Sequence, residues 1–355
     1  MANFFESFDE ATKTKLLLYE KYIGAFLGVF INTKGVTTIN VVDFFAGAGK
    51  DGDGTEGSPL IALKTLKHFE QRLKDKGVRV NLILNEGDKN NYEGLRSVVN
   101  EFGEIGNVKV ETHNRDFDAI FDEIFRRVKG GANLVFIDQF GVKFVTPALF
   151  SKLSSLPTTD VLFFIASNHL KRFNEHPEIK KYIDIPDLKT LRDHHHAHRK
   201  VTEYFRAEIK KQNPGYFVLP FSLKKGNNIY GLIYGCNHPL GAEKFLTAAW
   251  KINSTDGDAN FDIDGAQMEK NRPTLFAETR AVSKADAFKS ELQKRIMAGE
   301  LTDTGKCYIF ALESGCLPRH VKEELEKMAG ENLIEPVKFT LSGNHKKPPA
   351  PITRI

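Results

Sequence analysis

Three short stretches in the first third of the chain carry side chains suited to holding a ligand. The first is Asp43-Phe44-Phe45-Ala46-Gly47-Ala48-Gly49, where an apolar run ends on an acid and then on small residues. Small residues at the carboxyl end of a strand let a ligand approach the backbone, and the following turn offers amides to a polar group. Asp43 sits in the strand end, where a carboxylate meets an ammonium group rather than a phosphate. The second stretch, Asn85-Glu86-Gly87-Asp88, places Glu86 to accept two ribose hydroxyls. The third, Asn114-Arg115-Asp116-Phe117, offers Asp116 either to an adenine amino group or as the cap of a helix starting at Phe117. Acids at the ends of three successive strands converge on one crevice.

Other motifs fail on inspection. Gly47-Ala48-Gly49-Lys50-Asp51-Gly52 spells G-x-G-x-x-G, but that fingerprint opens a helix, and here Asp53-Gly54-Thr55-Glu56-Gly57 prolongs the loop. Asp51 and Asp53 also place like charge against a pyrophosphate. Gly49-Lys50 is no phosphate loop, because Phe44 stands at the first glycine position and Asp51 replaces Ser/Thr. His194 and His198 share a helix face at i and i+4, but no Glu stands in an H-E-x-x-H arrangement, so a surface helix face is expected. Asp256, Asp258, Asn260 and Asp262 begin like a calcium loop, yet Phe261 takes the glycine position and Gln267 the twelfth.

The elements that must position these residues alternate. A helix over 13–30 precedes a strand over 38–45, and a helix over 59–76 precedes a strand over 78–85. Helices over 89–101 and 117–128 lead to strands over 108–112 and 132–137, and a fifth strand spans 160–166. Such repetition predicts a parallel doubly wound sheet. A polar, His-rich helical region over 186–212 then gives way to strands over 216–223 and 229–236 joined by Lys224-Lys225-Gly226-Asn227-Asn228, a short Gly/Asn turn suited to a hairpin. Five parallel strands ending in an antiparallel hairpin is the programme of methyltransferase-like Rossmann domains, which predicts S-adenosylmethionine as cofactor. Residues 253–272 read as a linker. Helices over 285–297 and 318–328 and a strand or wing over 332–341 predict a winged-helix-like module. The division is therefore 1–280, 281–345 and a basic tail, 346–355, expected to be mobile.

Fifty basic against 46 acidic residues leave a charge of +4, too mild to prove a nucleic-acid partner. Three cysteines without metal-site spacing imply no disulfide framework and fit a reducing cytoplasm. No apolar run approaches the roughly 20 residues that cross a bilayer, so no membrane is expected.

The chain also resembles the three-Cys-motif partner family, a methyltransferase-like group. The resemblance rests on Thr12-Lys13-Thr14-Lys15 with Tyr19, the 43–49 stretch, Gly57-Ser58-Pro59, Asn85-Glu86, and Asp138 with Phe140-Gly141. It extends to Tyr230-Gly231-Leu232-Ile233-Tyr234 and Asn237-His238-Pro239-Leu240-Gly241, so it covers nearly the full length. Gln139 stands where that family usually has Pro. The resemblance implies a companion protein with a three-cysteine motif. Cofactor contacts are expected from Asp43, Phe44, Ala46, Gly47, Gly49, Glu86, Asp88, Asp116 and Phe117. Amino-methyltransferases resemble one another in an acid or amide followed by prolines and an aromatic, a pattern that assigns catalysis to Asp138, Gln139 and Phe140. A carboxylate that accepts an amine N–H raises its nucleophilicity, and an aromatic face orients a flipped base of DNA or RNA. The alternative is a non-catalytic partner, or a nucleic-acid-binding protein, that has kept the fold.

Overall fold

The structure, a computed structural model, describes residues 8–139, 144, 146–173, 175–180, 183–185, 188, 191, 194–263 and 283–355. These fall into two compact units that meet at 238/239.

In the first unit α1 (Glu10–Phe30) starts where Asp9 accepts the Thr12 amide. Such a side-chain cap supplies a partner for one of the amides a helix start leaves unpaired. Its inward face carries Lys15, Leu18, Tyr19, Tyr22, Ile23 and Phe26, all buried. The strands β1 (Thr38–Asp43), β2 (Arg79–Asn85), β3 (Val108–His113), β4 (Ala132–Ile137), β5 (Thr159–Ile165), β6 (Phe217–Lys225) and β7 (Asn228–Cys236) alternate with helices. These are α2 (Ser58–Lys76), α3 (Lys89–Phe102), α4 (Phe117–Arg127), α5 (Pro147–Ser154), α6 (Ser167–Phe173), α7 (Pro177–Lys180) and α8 (Ala197–Lys210).

The sheet runs β3-β2-β1-β4-β5-β7-β6. β1 to β5 pair in parallel, and β7 runs antiparallel between β5 and β6. This is the methyltransferase-like Rossmann topology expected from the sequence. β4 is buried at every position, as a central parallel strand covered on both faces must be. Edge strand β3 has no fully buried residue.

Polar side chains inside the sheet pin its register. Asn81 donates to Asn40 (2.8 Å), Asn40 to Asn133 (2.8 Å) and Asn133 to Thr159 (2.9 Å), a chain crossing β2, β1, β4 and β5. A slip of one residue in any of these strands would strand a buried amide. Further along, the Tyr22 hydroxyl of α1 meets both Asp160 of β5 and Tyr234 of β7 at 2.5 Å. Burial pushes Asp160 up to about 7, against the hydrogen bonds from the two tyrosines.

The second unit contains α9 (Pro239–Ile252), α10 (Lys284–Met297), α11 (Thr304–Glu313) and α12 (Pro318–Gly330). Trp250 of α9 donates to the Gly315 carbonyl (2.9 Å), and Tyr308 of α11 donates to buried Glu243 (2.7 Å). The mobile tail expected over 346–355 is corrected. The Ala350 carbonyl accepts from Thr304, Ile352 donates to Thr302, and Ile334 bridges Arg354, so the segment is tied in by backbone bonds on both sides. Asp256 and Asp258 anchor their loop: one accepts the Ile263 amide and the other pairs with Lys284 at 3.2 Å. Among the described residues no helix is long and apolar enough to cross a membrane, and no group of three His, Cys, Asp or Glu could hold a metal ion.

Candidate cofactor and acceptor site

The tips of β1, β2 and β3 are tied together by their own side chains. Asn85 donates to the Phe44 carbonyl (3.1 Å) and to the Arg115 carbonyl (2.9 Å), and its own carbonyl accepts the Arg115 amide (3.2 Å). Asn114 donates to the Glu86 and Gly87 carbonyls at 2.7 and 3.1 Å. Glu86 and Asp116 are thereby held on adjoining loops. One Glu86 oxygen accepts the Gly47 amide and the other the Asp88 amide, both at 2.8 Å. Each oxygen keeps a further lone pair for a hydroxyl, so the half-buried carboxylate retains the capacity expected of it.

Asp116 begins α4, but its exposed side chain makes no capping hydrogen bond. Asp88, in contrast, caps α3 by accepting the Asn90 and Asn91 amides at 2.9 Å. Of the glycines, Gly47 (φ +65°) has open space where a Cβ would point. A Cβ at Gly49 (φ +87°) would come within 3.1 Å of Val98, and one at Gly94 of α3 within 3.1 Å of Ala48. The loop therefore seats tightly on α3 at one end and is open at the other. Ala46 is buried, its amide bonded to the Asn85 carbonyl. Beyond Gly49 the loop is not loose: Asp51 accepts amides from Phe8, Asp53 and Thr55, and Lys50 bridges Glu56.

Asp43 is almost wholly enclosed. One oxygen accepts the Ser58 hydroxyl (2.6 Å) and the other the Phe45 amide (3.0 Å). Burial pushes its carboxyl up to about 7, opposed by those two bonds and reinforced by the charges of Asp138 and Glu86. It shapes the loop from within.

The aromatics divide differently from the expectation. Phe44 and Phe117 are 2% and 5% exposed and belong to the core, packed on each other and on Phe121. The half-buried rings at the mouth are Phe45, stacked on Phe117 (5.4 Å, 17°), and Phe144, 4.8 Å from Phe117. Sequence reasoning passed over both. Phe45 lies just past the end of β1 and packs on the same Phe117 ring as Phe44, so no strand alternation marked it.

At β4 the acceptor motif is only partly described. Asp138 pairs with Lys15 of α1, whose ammonium also lies 4.5 Å from the centre of the Phe164 ring. Gln139 is buried; its carbonyl accepts the Phe144 amide (2.9 Å), and its Nε2 has no partner among the described residues. Phe140 lies outside the described residues. One turn beyond Lys15, Tyr19 stacks on Phe136 (4.7 Å) with a buried hydroxyl that has no partner among the described residues. Burial and the Asp43 charge hold that phenol well above its ordinary range. Lys15 was legible only as part of a family motif, because a lysine on an amphipathic helix ordinarily faces water.

His198, expected on a surface face, is fully buried. Its Nδ1 meets the Ser167 hydroxyl (2.8 Å) and its Nε2 the Leu232 carbonyl (2.9 Å), a satisfied core histidine. The side chain of His194 lies outside the described residues.

The chain matches no protein-family profile and no curated protein at a significant level. Among solved structures it is similar to Trm1 from Pyrococcus horikoshii in complex with S-adenosyl-L-methionine, at 13% identity and a TM-score of 0.39, over 98% of this chain and 91% of that one. A putative O-methyltransferase from Klebsiella pneumoniae matches at 12% identity and 0.32, over 64% of this chain and 90% of its own. The Streptococcus pneumoniae protein Sp1610, a putative tRNA (m1A22) methyltransferase, matches at 12% and 0.28, over 88% of this chain and 98% of its own.

Proposed function

We propose that the first unit binds S-adenosylmethionine and acts as a methyltransferase on nucleic acid, working beside a three-Cys-motif companion protein. The observation that carries the reading is the pairing of Glu86 with the uncapped Asp116 on loops joined by Asn85 and Asn114, next to the open space at Gly47. When bound, S-adenosylmethionine supplies an electrophilic methyl group. Glu86 holds the ribose hydroxyls with its free lone pairs while its other bonds fix the Gly47 and Asp88 amides. Asp116 accepts from the adenine amino group. Asp43 keeps the loop in shape through Ser58 and Phe45, and Phe45 and Phe144 wall the mouth.

Lys15 holds one oxygen of Asp138, and the other is left to accept an N–H of the target amine. In this arrangement Lys15 is a positioning residue, and rate comes mainly from orientation. In the second unit, the order of helices followed by extended segments bridged at Ile334–Arg354, with Pro351 bridged back to Asp303 ahead of α11, supports a winged-helix-like reading. The charges of α12 are matched in ion pairs: Lys322 with Glu326, Lys327 with Glu324, and Glu323 with Lys289. Phosphate contacts there fall instead to Lys338, Lys346 and Lys347.

One observation favours a second reading, a partner without turnover: the Gln139 carbonyl is already engaged by the Phe144 amide and Asp138 by Lys15. Methyl transfer from radiolabelled cofactor to DNA, RNA or protein, with and without the companion, separates the two. Label in nucleic acid supports the enzyme. Retained cofactor binding with no label in any acceptor supports the silent partner.

A further inference from the structure

The outward face of α1 is built for contact. Lys13, Leu17, Glu20, Gly24 and Gly28 follow one another along it at helical spacing, with Lys21 beside Glu20. Leu17 is 40% exposed, although nearly every other large apolar residue of the helix is buried or half-buried. Seven residues on, a Cβ built at Gly24 meets nothing within 4 Å, and at Gly28 only the Phe69 ring edge comes that close, at 4.0 Å. Here α1 and α2 enclose a groove of about 810 Å³, floored by Leu16, Ile61 and Phe69 and rimmed by Lys13, Glu20, Lys64 and His68. Glu20 and Lys21 are exposed and, among the described residues, make no ion pair.

We propose that this groove receives the same face of a second copy, with the two α1 helices antiparallel about a two-fold axis between Glu20 and Lys21. The register follows from the residues. Setting the projecting Leu17 over the gap at Gly24 of the other helix puts the axis midway between positions 17 and 24, and that midpoint falls between 20 and 21. Glu20 of each copy then faces Lys21 of the other. A two-fold interface must be complementary to itself, and a protruding side chain with its own hole and an acid with its own base satisfy that twice over. A parallel arrangement would oppose like charges and leave both leucines without a hole. In this register Gly28 of each copy lies opposite Lys13 of the other, and the α2 surfaces that flank the groove join the contact. They extend it toward the 1,200–2,000 Å² or so that a stable interface buries.

The test is sedimentation velocity on the full chain across a micromolar dilution series, with four variants. The wild type is expected to dimerise. Glu20→Lys and Lys21→Glu each set like charges face to face at two symmetry-related places, and each is expected to weaken association about tenfold. Mixing the two single variants, or combining both changes in one chain, restores opposite charges across the axis and is expected to recover the wild-type constant. Gly24→Leu fills the hole and abolishes the dimer, while its thermal midpoint stays at or above the wild-type value because leucine is the better helix former. A wild type that stays monomeric over the series overturns the proposal. So does failure of the charge swap to recover association, or a Gly24→Leu protein that dimerises normally.

Discussion

Asp43 offers a perturbation whose size can be worked out. Its carboxyl is raised from an ordinary 3.8 to about 7 because burial removes water from the charged form, with Asp138 and Glu86 adding repulsion. An acid raised in the folded state binds more protons there than in the unfolded chain, so its stabilisation is full below the unfolded value and lost as pH climbs through the folded one. Between pH 5 and pH 8 that loss amounts to about 2.5 kcal/mol, from one titration with these two values. Asp43→Asn keeps the size of the side chain, can still accept the Phe45 amide and can bond Ser58 with the hydroxyl reversed, but it cannot ionise. Urea unfolding of both proteins, followed by far-ultraviolet circular dichroism at pH 5 and pH 8, reads the difference. The variant should gain on the wild type by roughly 2 kcal/mol or more on going to pH 8. An identical wild-type-to-variant gap at the two pH values would refute the claim that Asp43 is buried against its charge.

Other outcomes follow from the same contacts. Asp160 is raised to about 7 in the same direction, so Asp160→Asn should also flatten the loss of stability above neutral pH, read by thermal melts across pH 5 to 8. Tyr22→Phe removes a 2.5 Å bond to that buried acid, which is neutral at pH 5, and should cost about 0.5–1.5 kcal/mol there, measured by urea unfolding. Lys15→Met leaves the cofactor site intact while freeing Asp138, so it should lower the rate of methyl transfer about tenfold or more with product binding unchanged in calorimetry. If binding falls in step with rate, Lys15 serves the fold instead.

The sheet was legible because periodicity is strong where strands are buried on both faces: β4 ends where the sequence places it, at Ala132 and Ile137. β1 stops at Asp43 and not at Phe45, because Asp43 turns its side chain back to take the Phe45 amide and closes a turn that hydrophobicity cannot reveal. α9 escaped notice, since Pro239-Leu240-Gly241 reads as a turn, yet proline at a helix start costs nothing and Trp250 anchors the far end. Candidate residues stand out in the sequence where chemistry and position coincide, as at Glu86 and Asp116. The Lys15–Asp138 pair was hidden because its members stand 123 positions apart, although Asp138 by itself was singled out. Asp88 has a capping role the sequence reading did not give it: one of its oxygens accepts two amides at the start of α3.

The central claim is that Glu86 and Asp116 serve one adenosyl-shaped ligand. Isothermal titration of S-adenosylhomocysteine into the wild type, Glu86→Ala and Asp116→Ala tests it. Binding is expected for the wild type and should be weakened about 10- to 100-fold by Glu86→Ala, the loss of hydrogen bonds to a charged group, and less by Asp116→Ala. No heat with the wild type, or equal affinity in all three proteins, would contradict the account.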